Sequence, residues 1–511
     1  MNTRSVLSFL VVGLTVPLLT ATPVQSQSSR PDTLRIAIPS VPTDRGNPFN
    51  SAVTPTIFTG SAIFDPLVLV NESGQLVAQL AREWRITEDR QVWRFSLRPN
   101  IRFQNGEPLT AQAFASAIEY LVKDEKGKTW RSAPDVVGVD SARAVDDLTL
   151  EVRTKAPDPI LPKRLSQVLA PAPKAWMDLG FDKFVATPVG TGPYVVESWS
   201  REVVALAAHG GSWRATKIPR IEIVGLPEPA TRAAALITNQ IDVAGNLNFD
   251  DIKRIRDSGY TVVVGPAYQM LSLALSNVAK KDSPFNDRRV RQAANYAVNK
   301  QAIADGIFQG QTRVSAGQGA SPGVVGFNPA LQPYPQNAER AKALLAEAGF
   351  ANGFKGVAEI AVGSFTGDSE LYQQVGQDLA RVGINLEMRQ VVFADWQRKR
   401  LTNTWDGIVH NLSWFAEPYV DAARFWTAFS CLSRPVYACD EEIQKVIAAS
   451  NQEFDPVRRE RLLQEVMARY REDPPALYLV EAINTFGLAK RVRNFNRHHR
   501  WLIYNDMSLD G

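Results

Sequence analysis

Four histidines and two cysteines are the first residues to weigh for chemistry in this chain. The histidines are His209, His410 and the adjacent His498 and His499, and no two stand at the spacing that sets a pair of imidazoles on one helical face. H-E-x-x-H is absent. Cys431 and Cys439 alone supply too few donors for a thiolate zinc centre, which takes four ligands. No metal site and no cofactor are therefore expected, and His410 reads as a structural or cleft histidine. Gly190-Thr191-Gly192 and Gly317-Gln318-Gly319 begin like phosphate loops. Neither completes G-x-G-x-x-G or the Walker pattern, so both read as tight turns. No nucleophilic serine is expected, and the paired carboxylates of a glycosidase are defined by a separation that sequence does not contain. With no catalytic residue to nominate, the chain reads as something other than an enzyme, a secreted hydrolase being the weaker alternative.

The elements that would position such residues follow an export signal. Arg4 precedes an uncharged apolar stretch, Val6 to Leu19, and then small residues up to Val24-Gln25-Ser26, the order of a cleavable secretory leader over 1–26. The stretch is shorter than the ~20 apolar residues that cross a bilayer. No cysteine lies near the cut for lipid attachment, and in an oxidising compartment Cys431 and Cys439 are expected to close a small disulfide loop. A chain of 511 residues with 45% hydrophobic content exceeds one compact core, so at least two lobes are expected. The formal charge of +4 is spread along the sequence, which does not indicate a nucleic-acid partner. The one basic run, Arg491 to Arg500, reads as a solvated edge.

Local patterning predicts α/β construction. Thr33 to Ile38 and Gln91 to Arg98 alternate as strands, Asn105-Gly106 marks a turn, and Thr110 is expected to cap a helix carrying Phe114, Ala117, Ile118, Leu121 and Val122. Asn337 caps a second helix that Gly349 stops. Leu371, Val375 and Leu379 stripe a third that ends at Gly383, before the strand Ile384, Leu386, Met388. Asp455-Pro456 opens a fourth, and after Pro474-Pro475 the chain from Ala476 to Val480 is extended.

Segments taken in order resemble the extracellular solute-binding proteins of family 5, the oligopeptide, dipeptide and nickel type. They are Gly74 to Trp84, Trp93 to Leu109 with its Phe103-Gln104-Asn105-Gly106-Glu107-Pro108-Leu109, Val189-Gly190-Thr191-Gly192-Pro193-Tyr194, the group Arg232, Ala235-Leu236 and Ile241-Asp242, and Pro284 to Ala293. Asn239 stands where the family usually has Gly, and Asn tolerates the left-handed backbone. Ala113 replaces a usual Asp. The resemblance implies a two-lobed periplasmic binding protein (type II, cluster C) with an extra domain on the first lobe and a two-segment hinge near Ala267 and Val480. The implied divisions are 27–79, 188–269 and 481–511 for the first lobe, 80–187 for the extra domain and 270–480 for the second lobe.

The same resemblance implies a monomeric, non-lipidated periplasmic protein. It would take a peptide-like small solute between its lobes and deliver it to the inner-membrane permease of an ABC importer. A periplasmic chaperone or sensor that binds peptides is the alternative. The residues implied to line the cleft are Tyr268, Asn411, Trp414 and Glu417. Glu417 falls three positions after Trp414, where peptide-binding members carry the acid that meets the ligand's amino terminus. Trp396, Trp405 and Trp426 are expected in the core. The segment Gly363 to Asp368, where the peptide subgroup has a basic residue for the ligand's carboxyl end, contains no Arg or Lys. This argues against a free dipeptide and leaves longer peptides, modified amines, opine-like and sugar-like solutes open, with a nickel complex a further alternative that four histidines support only weakly.

Overall fold

The computed structural model describes residues 32–50, 54–363, 365–433, 435–499 and 501–510. The expected leader, 1–26, lies outside the described residues. The strand Thr33–Ile38 buries Leu34, Ile36 and Ile38 and pairs in parallel with Arg220–Gly225 on one side and Val243–Gly245 on the other. Val203–Ala208 and Tyr194–Trp199 extend this half antiparallel. A second half is built on Phe354–Ile360, flanked in parallel by Ile384–Gln390 and Val409–Asn411. Parallel strands with apolar runs require helices over them, which is why the intervening segments are amphipathic.

Two long antiparallel strands, Thr261–Ala274 and Ala476–Leu488, run through both halves and join them into one eleven-stranded sheet. Their N-terminal and C-terminal portions respectively, Thr261 to Pro266 against Ile483 to Leu488, belong to the first half. Met270 to Ala274 against Ala476 to Glu481 belong to the second. The register slips between Pro266 and Met270 and again before Ser272, and Tyr268 sits there at φ +46°. A bulge of this kind bends a strand and re-aims its side chains.

A separate sheet orders Ala81–Ile86, Val92–Leu97, Thr149–Thr154 and Val139–Asp146. The helix Ala111–Lys123 covers it with Phe114, Ala117, Ile118 and Leu121, over a core containing Phe95, Leu97, Leu150 and Val152. Local punctuation is as expected at Asn337, whose side chain accepts from the Arg340 amide at 2.9 Å, and at Asp455, which accepts from Arg458 at 2.8 Å. Gly349, Gly383 and Asn239 all take positive φ. Thr110 occupies the N-cap position in extended backbone but makes no capping hydrogen bond.

Gly190 and Gly192 are not left-handed turn residues. A Cβ on either would lie within 3.0 Å of the Ala62–Ile63 backbone, so glycine permits a close approach of two chains. Gln104 fastens that approach: it accepts from the Gly190 amide at 3.0 Å and donates to the carbonyls of Gly192 and Tyr194 at 3.1 and 2.6 Å. Asp65 lies buried beside it, receiving Thr191, Gln79 and Trp213 and pairing with Arg214 at 2.6 Å. Arg291, in another family-like segment, donates to the carbonyls of Phe285 and Asn286. Cys431 and Cys439 form the expected disulfide.

Candidate functional site

The bulge around Tyr268 brings groups from distant parts of the chain to the seam between the halves. The pairings Gln269 with Phe415 and Met270 with Trp414, and the Ala416 amide donating to the Tyr268 carbonyl at 2.9 Å, place the segment from Trp414 to Glu417 against the first long strand. The Tyr268 hydroxyl crosses the seam to the Glu72 carbonyl at 3.1 Å, and its ring meets His499 edge-on at 5.4 Å. Burial raises the Tyr268 pKa, helped by Glu72 and Glu481. Glu417 is buried, precedes a cis proline, and has Oε1 3.8 Å from His499 Nδ1. His499 Nε2 meets the Asn71 carbonyl at 2.8 Å, which fixes the proton of the neutral ring on that nitrogen. Burial pushes the His499 pKa down to about 4 despite the opposing charge of Glu72. Glu481 and Ser321 complete this end at 2.7 Å, and burial raises the Glu481 carboxyl above the ordinary range.

Trp414 is fully buried beneath the seam. Its ring stacks on Phe429 at 3.9 Å and is edged by Phe425 and Tyr470. Asn411 sits farther along, exchanging two hydrogen bonds with the Ala361 backbone at 2.7 and 3.1 Å. The structure thus brings Tyr268, Trp414 and Glu417 together and uses the Asn411 amide as a strut. Trp405 and Trp426 are core, as expected; Trp396 is only partly buried and donates to the Asn411 carbonyl. His410 is buried, with its ring on Trp405 at 4.1 Å and its pKa pushed down to about 3 by burial and by Arg400.

Away from the long strands the seam is closed by charge. Asp135, on the side of the four-stranded sheet, accepts from the Tyr419 hydroxyl and lies 3.3 Å from Arg424 Nη1. Lys163 donates to the Tyr419 carbonyl at 3.0 Å, and Asp421 holds Arg459 through two hydrogen bonds at 2.7 and 2.8 Å. Burial raises the Asp135 carboxyl, opposed by Arg424 and Tyr419. For Asp421 burial acts the same way, but Arg459 and Lys163 overcome it and hold the carboxyl low.

Two sequence readings need correction. The basic run from Arg491 is no solvated edge throughout: Arg491 pairs with Asp242 at 2.6 Å, Arg497 lies 3.6 Å from Glu72, and His499 is buried at the seam. The adjacent pair of histidines within that run was the available signal. Gly319-Ala320-Ser321-Pro322-Gly323 also carries the G-x-S-x-G spacing of a hydrolase elbow, against the expectation of no such serine. Ser321 is buried and its hydroxyl donates to Glu481, with no strand-turn-helix around it.

Among the described residues no group of three His, Cys, Asp or Glu could hold a metal ion, and no helix is long and apolar enough to cross a membrane. The profile of the bacterial extracellular solute-binding proteins, family 5 middle region, matches residues 75–434. The chain belongs to this family. Among relatives of this family 5 protein, the nickel-binding periplasmic protein of Escherichia coli K12 is 27% identical over 468 residues, covering 83% of this chain and 84% of that one. The dipeptide-binding protein of the same strain is 23% identical over 493 residues, covering 87% and 91%. In structure, the periplasmic binding protein DppA of Helicobacter pylori in complex with the peptide STSA superposes with a TM-score of 0.81 at 20% identity, covering 94% of this chain and 98% of that one. The fold of this family 5 protein is accordingly that of the two-lobed periplasmic binding proteins.

Proposed function

We propose that this protein is the periplasmic solute-binding component of an ABC importer. It encloses a small peptide-like solute bearing an amine between its lobes, as a monomer, and passes it to a membrane permease. The observation that carries the reading is the interlobe seam at Tyr268, where Glu417, Glu481 and neutral His499 present acceptors around one bulge. Nδ1 of His499 and Oε1 of Glu417 are both acceptors and stand 3.8 Å apart, a separation that favours a donor such as an ammonium group. Relatives named for nickel, dipeptide and peptide ligands support a solute of this size.

Hinge closure at the two long strands would bury the solute. The strands cross between the lobes side by side and their register slips at the crossing, which supports bending there. Ligand bound only by the native state raises the melting temperature by mass action. Mass spectrometry of co-purified small molecules, followed by thermal shift with those compounds, is the direct test. Glu417→Gln is expected to weaken an amine-bearing solute by about 2–5 kcal/mol while leaving the ligand-free melting temperature nearly unchanged. Equal affinity in the variant would remove Glu417 from the site, and the absence of any stabilising solute would remove the reading itself.

A further inference from the structure

We propose that the turn 71–74 and the segment 416–421 form a strained catch. Contact across them holds Val420 in a left-handed backbone that it leaves when they separate, so the strain opposes the contact and eases the parting of the two sides. Such parting is what the capture reading requires for a solute to enter and leave. A left-handed backbone suits glycine and is tolerated by asparagine, whereas a β-branched residue there is an outlier. Among the described residues, eleven other than glycine take positive φ, five of them asparagines, and Val420 at +52° is the only β-branched one.

Three of the other six, Tyr268 at +46°, Val420 and His499 at +56°, meet at this one turn, which joins the strands Val68–Val70 and Leu76–Ala78. The Tyr268 hydroxyl donates to the Glu72 carbonyl at 3.1 Å. His499 meets the Asn71 carbonyl through Nε2 at 2.8 Å and donates its amide to Glu72 Oε1 at 2.6 Å. Val420 stands so close to Gly74 that a Cβ on the glycine would lie 3.1 Å from the valine Cβ. Backbone of this kind persists only where its surroundings over-determine it, and it gathers at clamps and switches.

What over-determines Val420 is a conflict of anchorage. Its amide donates to the Ala416 carbonyl at 2.9 Å and its carbonyl accepts from the Val325 amide at 3.0 Å, while the Ala422 amide returns to the Val325 carbonyl at 2.9 Å. Its neighbours are drawn the other way: the Tyr419 hydroxyl donates to Asp135, and the Tyr419 carbonyl accepts from Lys163 at 3.0 Å. Asp135 and Lys163 sit on the short helices Ala133–Val136 and Leu161–Leu165, whose apolar residues pack in the core of the four-stranded sheet. Val420 packs in a different core, with Trp414 and Phe429. The backbone at Val420 thus takes up the mismatch between bonds to one side and contacts to the other. Through Ala416, whose amide donates to the Tyr268 carbonyl at 2.9 Å, the same chain of hydrogen bonds reaches the bulge of the long strand.

The test compares Val420→Gly with Val420→Ala in the full chain. Val420 is fully buried, so either variant loses the burial of the isopropyl group, and the two differ only by a Cβ. Where φ is negative, glycine is the less stable of the pair because its unfolded chain is freer; where φ is positive, the order reverses. Hydrogen exchange at the amides of Val325 and Ala422, corrected for intrinsic rates, reads the opening of the catch. Exchange is expected to be about fivefold or more slower in Val420→Gly than in Val420→Ala. Adding Asp135→Ala to each should abolish that difference, because sides that have parted no longer impose the angle. The same difference in both backgrounds overturns the catch, by assigning the strain to the segment 416–421 alone. Exchange in Val420→Ala as slow as in Val420→Gly, with Asp135 present, also overturns it, since there is then no strain to release. No solute enters the comparison, so its failure leaves the capture reading standing, and a failure of capture leaves the catch standing.

Discussion

Lys300 is an ammonium group with almost no exposure, donating to the Asn295 carbonyl and lying 5.7 Å from the Tyr334 ring. No carboxylate is within ion-pair distance of it among the described residues. Burial, and then the charge of Arg471, push its pKa down to about 7 from 10.5, with Asp378 opposing. Between those values the unfolded chain holds a proton that the folded chain lacks, so stability rises with pH across that window. Below about 7 both states are charged and the folded protein bears the full desolvation cost. Lys300→Met should therefore raise the melting temperature more at pH 6 than at pH 9.5. An equal gain at both would mean the lysine is already neutral or well compensated. The same physics explains Arg232, whose guanidinium is nearly inaccessible yet donates to the carbonyls of Gly245, Pro227 and Asn246, and which burial pushes down to about 10. Each of these residues is charged for the sake of backbone carbonyls inside the molecule, and neither is at the seam.

At the scale of elements, glycine decides where two segments touch. A Cβ on Gly319 would fall well under 3.0 Å from the Trp414 ring, and that ring is pinned from its other face by Phe429 at 3.9 Å. Gly319→Ala should cost about 1–3 kcal/mol of stability through overpacking, measured as a lower denaturant midpoint with an unchanged slope. A neutral substitution would show that the tryptophan can swing aside. Helix and strand boundaries were legible where their signal is local: Asn337, Asp455, Gly349 and Gly383 act within one turn of themselves, so sequence spacing reports them. Tyr268 and Glu417 could be nominated only by resemblance, and their partners could not be read at all. Glu72 and His499 are 427 residues apart, and Asp135 and Tyr419 are 284 apart, so their contacts depend on the closed sheet and not on any periodicity. A density of Arg and His suggested solvent at the C-terminal run, whereas Asp242 and Glu72 draw Arg491 and Arg497 inward.

For the whole molecule, two long strands join the halves of the large sheet, and a charged cluster ties the side of the four-stranded sheet to the segment from Tyr419 to Arg424. Asp135 and Tyr419 are buried against each other, with Arg424 partly buried beside them, so a closure that brings these two sides together must remove them from water and recover the loss through their mutual contacts. Removing one partner leaves the other charges buried and uncompensated, which costs about 3–5 kcal/mol in the closed form and nothing comparable in an open, solvated one. Asp135→Ala should therefore shift the population toward open lobes, and the apparent affinity for a solute should fall by the fraction of closed molecules lost. Small-angle scattering should give a larger radius of gyration for the variant than for the parent, with and without tetra-alanine. The melting transition should change little, because the shared apolar core that holds both Ile36 and Val375 is built without these charged groups. If scattering is the same for both proteins while the variant melts early, Asp135 supports the fold of its own sheet and does not govern closure. If scattering differs but affinity does not, closure and capture are separate events, and the charged latch sets the shape presented to the permease.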